Sequence, residues 1–258
     1  MDGACLEVTD LRKEFEGLMA VFDVSFDVRA GEIVALIGPN GAGKTTIFNL
    51  ISGVLEPSAG RMRFRGHLLN GLRPHAITSL GLARTFQNVR LFAHMSVLEN
   101  AMVGRHARSH CGLWSAALRL PRAAHEERAI RERAMGELAR VGLETRADES
   151  AASLSLGQQR LLEIARALAT EPGLLLLDEP GAGLNRPEKE GLGRLVRSIR
   201  DGGVTVLIVE HDMQFVMGLA DRIVALEYGM KIAEGTPAEI QSNERVIAAY
   251  LGDDRSLC

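Results

Sequence analysis

The stretch Ile33-Val34-Ala35-Leu36-Ile37-Gly38-Pro39-Asn40-Gly41-Ala42-Gly43-Lys44-Thr45-Thr46 decides the fold class. Its first five residues are all apolar, a short run that suits a strand covered on both faces of a sheet. The next segment fits G-x-x-x-x-G-K-[ST], and residues 47–52 read as a helix. Glycine opens backbone angles that aim several N–H groups inward, and the following helix N-terminus adds positive partial charge. Gly38, Pro39, Asn40, Gly41, Ala42, Gly43, Lys44, Thr45 and Thr46 are therefore expected to cradle phosphates. Lys44 can reach the outer phosphates, and the Thr45 hydroxyl can ligate Mg²⁺.

Outward from this loop, residues 5–9 and 21–28 read as strands, the second with Val24, Phe26 and Val28 alternating with polar neighbours. From about residue 96 to 169 the pattern turns helical, with Ile130, Ala134, Leu138 and Val141 at helical spacing. Short buried-strand runs return at 174–177 and 204–209. Strands separated by helices imply a largely parallel sheet, so the helical middle is expected as a lobe inserted into an α/β domain.

Leu174-Leu175-Leu176-Leu177-Asp178-Glu179-Pro180 places two carboxylates at the C-terminal end of an apolar strand. Ligands in open α/β sheets bind at that edge. Asp178 is the expected Mg²⁺ partner, and Glu179 the group that polarises an attacking water.

Leu154-Ser155-Leu156-Gly157-Gln158-Gln159-Arg160, followed by a helix expected over 161–169, resembles the LSGGQ signature of the ABC ATPase superfamily. That resemblance implies a P-loop NTPase core of RecA-like α/β type, with a mostly parallel sheet, an N-terminal antiparallel β region and an inserted α-helical subdomain. It divides one ABC ATPase domain into a nucleotide-binding core (1–87 and 170–240), a helical subdomain (88–169) and a C-terminal helix and tail (241–258). It implies ATP and Mg²⁺ as ligands and hydrolysis as the reaction. Ser155, Gly157 and Gln158 then face the γ-phosphate held by an opposite subunit. Gln87, in Arg84-Thr85-Phe86-Gln87, resembles the Q-loop Mg²⁺ ligand. His211, in Ile208-Val209-Glu210-His211-Asp212, resembles the switch histidine, whose neutral ring can hydrogen-bond the γ-phosphate. Phe15 stands where the adenine-stacking aromatic does. Asn185, in Gly181-Ala182-Gly183-Leu184-Asn185, departs from the aspartate common in the D-loop, which removes a charge from that position.

By the same resemblance, two copies or two homologous subunits close head to tail around two ATP molecules. Two transmembrane permeases are the expected partners, with a solute-binding protein acting indirectly. The stretch 105–125, with Trp114, Leu118 and Leu120, is a candidate docking region on the helical lobe. The words from Gly81 to Phe92, Asp178 to Asn185, Val209 to Met213 and Val246 to Gly252 look like the LivG-type subunit of branched-chain amino-acid importers. Lipid or lipopolysaccharide export, a soluble ABC protein, and a P-loop kinase are the competing classes. The signature segment speaks against a kinase.

Composition narrows the classes further. The 258 residues carry a net charge of -3, which offers no global attraction for nucleic acid. No run of 18 apolar residues is present, and Met1-Asp2-Gly3-Ala4-Cys5 lacks the features of a signal peptide. Three cysteines (Cys5, Cys111, Cys258) show no metal or disulfide spacing, which suits a reducing compartment. The expected location is peripheral, on the cytoplasmic face of the cell membrane.

Overall fold

The computed structural model describes residues 4–85, 91–106 and 121–253. Its strands are β1 (Ala4–Phe15), β2 (Leu18–Arg29), β3 (Ile33–Ile37), β4 (Ala59–Phe64), β5 (His67–Leu68), β6 (Leu82–Arg84), β7 (Leu174–Asp178), β8 (Thr205–Val209), β9 (Arg222–Glu227) and β10 (Met230–Gly235). The helices are α1 (Lys44–Ile51), α2 (Pro74–Ser79), α3 (Val97–His106), α4 (Pro121–Arg140), α5 (Leu156–Leu168), α6 (Arg186–Asp201), α7 (Met213–Leu219), α8 (Pro237–Gln241) and α9 (Glu244–Asp253).

Two sheets form the framework. The first is antiparallel, in the order β2-β1-β4-β5. The second runs β10-β9-β3-β8-β7-β6, and only its β10–β9 pair is antiparallel. The strands expected at 5–9 and 21–28 extend further at both ends. They meet in a two-residue turn, Glu16 (φ 47°) and Gly17 (φ 90°), with Phe15 paired to Leu18. Two successive positive φ angles match the right-handed twist of a hairpin, and this carried the strands past the alternating stretch.

The apolar runs are buried on both faces because each faces two cores. Ile33, Ala35 and Ile37 of β3 join a cluster with α3, α4, α5 and α6, while Val34 and Leu36 join one with α1 and the antiparallel sheet. Leu175 and Leu177 against Leu174 and Leu176 repeat the division on β7. Successive side chains of a strand point to opposite faces, so five apolar residues in a row are needed here. Ala134, Leu138 and Val141, at the spacing read as helical, fall in the first cluster, which also takes in Val97, Leu98 and Ala101 of α3. The helical middle is thus fastened to the sheet by one continuous apolar core.

Candidate active site

The strands β3, β8 and β7 are parallel neighbours, so their C-terminal ends lie side by side. Leu36 pairs with Val209, and Val209 with Asp178. The phosphate loop leaves β3, the Glu210–His211 segment leaves β8, and Asp178 and Glu179 end β7. Three segments far apart in sequence are thereby brought to one sheet edge.

The loop's shape depends on two glycines. A Cβ on Gly38 (φ 152°) would lie 2.3 Å from the Leu226 carbonyl oxygen, and one on Gly43 (φ 95°) would lie 2.7 Å from that of Ala20. Neither site can hold a side chain without moving backbone. Gly43 is the N-cap of α1, which starts at Lys44, earlier than the expected 47, because the glycine's left-handed backbone turns the loop directly into the helix. Lys44 is 7% exposed, and its ammonium donates to the Gly38 and Pro39 carbonyls at 2.7 and 2.9 Å, which places its charge inside the loop. Ala42 is buried, and its carbonyl accepts from the Gly229 N–H at 3.3 Å. The Gly229 carbonyl in turn accepts from Phe22 N–H at 2.8 Å, so the turn between β9 and β10 braces the loop against β2. Asn40, Gly41 and Thr45 are exposed at the surface of this loop, with Thr46 half-buried behind them.

Asp178 is 2% exposed; one carboxylate oxygen accepts from Arg84 at 2.8 Å. Arg84 also donates to Asn49 and Ser52 near the end of α1, each at 2.8 Å. Glu179 sits at φ 46°, a backbone region that costs a non-glycine residue roughly 1 kcal/mol or more. Its N–H donates to the Val209 carbonyl at 2.9 Å, and its carboxylate lies 3.9 Å from His211 Nδ1. The exposed His211 ring and the Glu179 carboxylate thus face one another where the two strands end. Glu210, beside them, is 1% exposed; it accepts from Gly181 N–H at 2.7 Å and from His211 N–H at 3.3 Å. Burial raises its carboxyl above the usual range.

Ser155 caps α5, and Leu156 begins the helix, five residues before the expected start at 161. The Ser155 hydroxyl accepts from Gln158 N–H at 3.4 Å, and the Gln158 side chain accepts from Ser155 N–H at 3.1 Å. This reciprocal box satisfies two donors of the first turn, which is why the helix extends back through the motif. A Cβ on Gly157 would lie 2.9 Å from the Glu188 carboxylate, so the motif packs on the first turn of α6.

Residues 21–182 match the family described as ABC transporter. The chain belongs to that family. This ABC cassette also matches, over residues 230–256, the family described as branched-chain amino acid ATP-binding cassette transporter. It is 45% identical over 254 residues to the high-affinity branched-chain amino acid transport ATP-binding protein LivG of Salmonella typhimurium, covering 98% of this chain and 100% of the relative. The lipopolysaccharide export system ATP-binding protein LptB of Escherichia coli is 35% identical, with coverage of 97% and 98%. Among solved structures, the ADP conformation of MJ1267, an ATP-binding cassette of an ABC transporter, superposes with a TM-score of 0.85 at 31% identity, covering 98% and 99% of the two chains. ATP binding, the ATPase class and the α/β cassette fold expected from the sequence agree with these relatives. No helix among the described residues is long and apolar enough to cross a membrane.

The oxygen donors of the cassette suit a small hard cation. The second Asp178 oxygen, Oδ1, is buried and accepts no hydrogen bond among the described residues. A buried carboxylate oxygen left without a hydrogen-bond donor is chemically suited to a hard cation such as Mg²⁺. Among the described residues no cluster of three or more His, Cys, Asp or Glu is placed to hold a metal ion.

Phe15, half-exposed at the end of β1 with the Lys13 ammonium 4.9 Å above its ring, stands at the β1–β2 hairpin. Gln87, Trp114, Leu118, Leu120, Cys111 and Cys258 lie outside the described residues. Asn185 caps α6: its side chain accepts from Glu188 N–H at 3.0 Å, and Glu188 accepts from Asn185 N–H at 2.9 Å. Arg84, Glu210 and Gly229 were given no role by sequence reasoning, although the first two stand inside motif words that it quoted. Their roles arise from contacts across long sequence separations, and local pattern carries no signal for those.

Proposed function

We propose that this chain is the ATP-hydrolysing subunit of an importer for branched-chain amino acids, bound peripherally to the cytoplasmic face of the cell membrane through separate permeases. The observation that carries this reading is the convergence of Lys44, Asp178, Glu179 and His211 at the ends of β3, β7 and β8. The match of residues 230–256 to a branched-chain amino acid transporter family supports the cargo class over lipopolysaccharide export.

In this reading the loop Gly38–Thr46 wraps the phosphates, Lys44 binds the outer ones and Phe15 stacks on the adenine. Thr45, Asp178 and Gln87 would hold Mg²⁺, which when bound neutralises charge on the phosphates and aligns them for displacement. Glu179 orients and polarises the attacking water, and the His211 imidazole N–H donates a hydrogen bond to the γ-phosphate. Ser155, Gly157 and Gln158 face the nucleotide of a second cassette, where the N–H groups of the α5 N-terminus meet an anion. ATP closes the pair because it interacts more strongly with the closed state, and hydrolysis removes that advantage. The domain division into a core, a helical subdomain over 88–169 and a C-terminal helix follows the same reading.

The test uses Glu179→Gln. With Mg²⁺ and ATP it should bind nucleotide, persist as a dimer and hydrolyse at under about one hundredth of the wild-type rate. Captured from its native membranes with MgATP, the tagged variant should bring down two multi-span permeases, and a second cassette protein where the pair is a heterodimer. Near-normal turnover would remove Glu179 from its role. Capture of a lipopolysaccharide-export assembly would overturn the import assignment and leave the ATPase standing.

A further inference from the structure

The segment Gly181–Asn185 and the α6 helix that follows it are each linked to the segment Glu210–Asp212 within one chain. Gly181 N–H donates to Glu210 at 2.7 Å, in a buried contact. Lys189, in the first turns of α6, pairs with Asp212 at 2.5 Å, and Asp212 caps α7 by accepting from Phe215 N–H at 3.1 Å. The other Glu210 oxygen accepts from His211 N–H at 3.3 Å. One buried carboxylate therefore holds both the start of the loop after Glu179 and the backbone of His211.

We infer that Glu210 is a positioning residue of the reaction: it locks the Gly181–Asn185 loop to the His211 backbone so that the two move as one body. The inference rests on the roles proposed above for Glu179, His211 and the dimer. Three features of the site carry it. Glu210 is 1% exposed, so its carboxylate has no water to replace a lost partner. The fit at Gly181 is close, since a Cβ there would lie 2.8 Å from Glu210 Oε1. The loop itself is internally tied, with Ala182 N–H donating to the Glu179 carbonyl at 3.1 Å and Leu184 N–H to that of Gly181 at 3.2 Å. A shift of the loop thus reaches His211 through Glu210, and reaches Glu179 through its own backbone. Seating of a second cassette on the loop would in this way set the geometry of water attack in the first.

Three variants separate this role from simple folding. Glu210→Ala removes the acceptor, and Gly181→Ala keeps the carboxylate but forces the loop off it. Glu210→Gln retains shape but can accept from only one of the two N–H groups. The readouts are steady-state kcat and KM for MgATP, and the dimer dissociation constant with MgATP in the Glu179→Gln background, measured by analytical ultracentrifugation. Glu210→Ala and Gly181→Ala should each lower kcat at least tenfold with KM within threefold, and weaken the dimer at least tenfold. Glu210→Gln should fall between them and the parent. The inference is overturned if Glu210→Ala and Gly181→Ala, both folded by circular dichroism, keep kcat and the dimer constant within twofold. It is equally overturned if only KM rises, because that pattern marks nucleotide binding and not positioning. Failure of the Glu179→Gln parent itself to dimerise with MgATP would instead overturn the functional reading beneath it.

Discussion

The Arg84 guanidinium meets the Asp178 carboxylate at 2.8 Å, with 6% and 2% of their side chains exposed. The same guanidinium holds Asn49 and Ser52 and lies 5.6 Å from the Phe48 ring centroid, so β6, β7 and α1 share one buried junction. Removing one partner of a buried ion pair strands the other charge, at a cost of about 3–5 kcal/mol. Arg84→Met should therefore lower the urea-unfolding free energy by about that amount. Arg84→Met combined with Asp178→Asn removes both charges and should regain most of it. A double variant no more stable than Arg84→Met alone would show that the junction depends on packing and not on charge pairing.

The loop glycines should differ sharply in what they tolerate before any nucleotide is added. Gly41 has φ 79° and open space around a new Cβ, so Gly41→Ala should cost only backbone strain, about 1–2 kcal/mol. At Gly43 the same strain is joined by overlap with the Ala20 carbonyl at 2.7 Å, and Gly43→Ala should cost about 3 kcal/mol or more. Thermal melts of the two variants in nucleotide-free buffer compare them directly. Equal losses would mean that β2 yields freely to the loop.

Much of this was legible because it is local. The apolar pentad, the glycine loop and the helix after it are contiguous, and their order specifies a strand, an anion cradle and a helix without any distant partner. The carboxylates at the end of β7 were legible for the same reason. The helix start at Leu156 was legible too, because Ser155 followed three residues later by Gln158 has the form of a capping box; the expectation of a helix only from 161 passed over that signal. Arg84 and Glu210 could not be read at all: their partners lie 94 and 29 residues away, and no spacing rule reaches that far. Nor does any local pattern foretell that Gly229 braces the phosphate loop.

Asn185 shows why a departure from a family's usual residue can be harmless to folding. Its side chain and that of Glu188 form a reciprocal cap on α6, with Pro187 in the first turn. Aspartate can accept the same N–H, whereas alanine cannot. Asn185→Ala should thus lower stability by about 1 kcal/mol, and Asn185→Asp should leave it within about 0.5 kcal/mol. Urea titrations of the isolated cassette read both. A loss for Asn185→Asp as large as for Asn185→Ala would point to repulsion from Glu188 dominating the cap.

Tyr250 ties α9 to the catalytic core in a way that alkaline pH should reveal. Its side chain packs against the larger apolar cluster, and its hydroxyl oxygen is buried with no hydrogen-bond partner among the described residues. Burial pushes its pKa up to about 12 from 10.0, and the nearby Gly38 backbone N–H offsets this only in part. A phenol whose folded pKa lies above its unfolded one contributes stability in full below pH 10, and that contribution is lost as pH rises through 12. By linkage the wild type should lose about 2 kcal/mol between those limits through this group alone. Tyr250→Phe has no proton to release, and deleting an unpartnered buried hydroxyl should cost less than about 1 kcal/mol at pH 8. The difference between the two unfolding free energies, measured in urea at pH 8, 10 and 11.5, should therefore shift in favour of Tyr250→Phe at the highest pH. Because other groups titrate equally in both proteins, a difference that stays constant across the series would mean that water reaches the phenol and that α9 lifts from the core before the ring ionises.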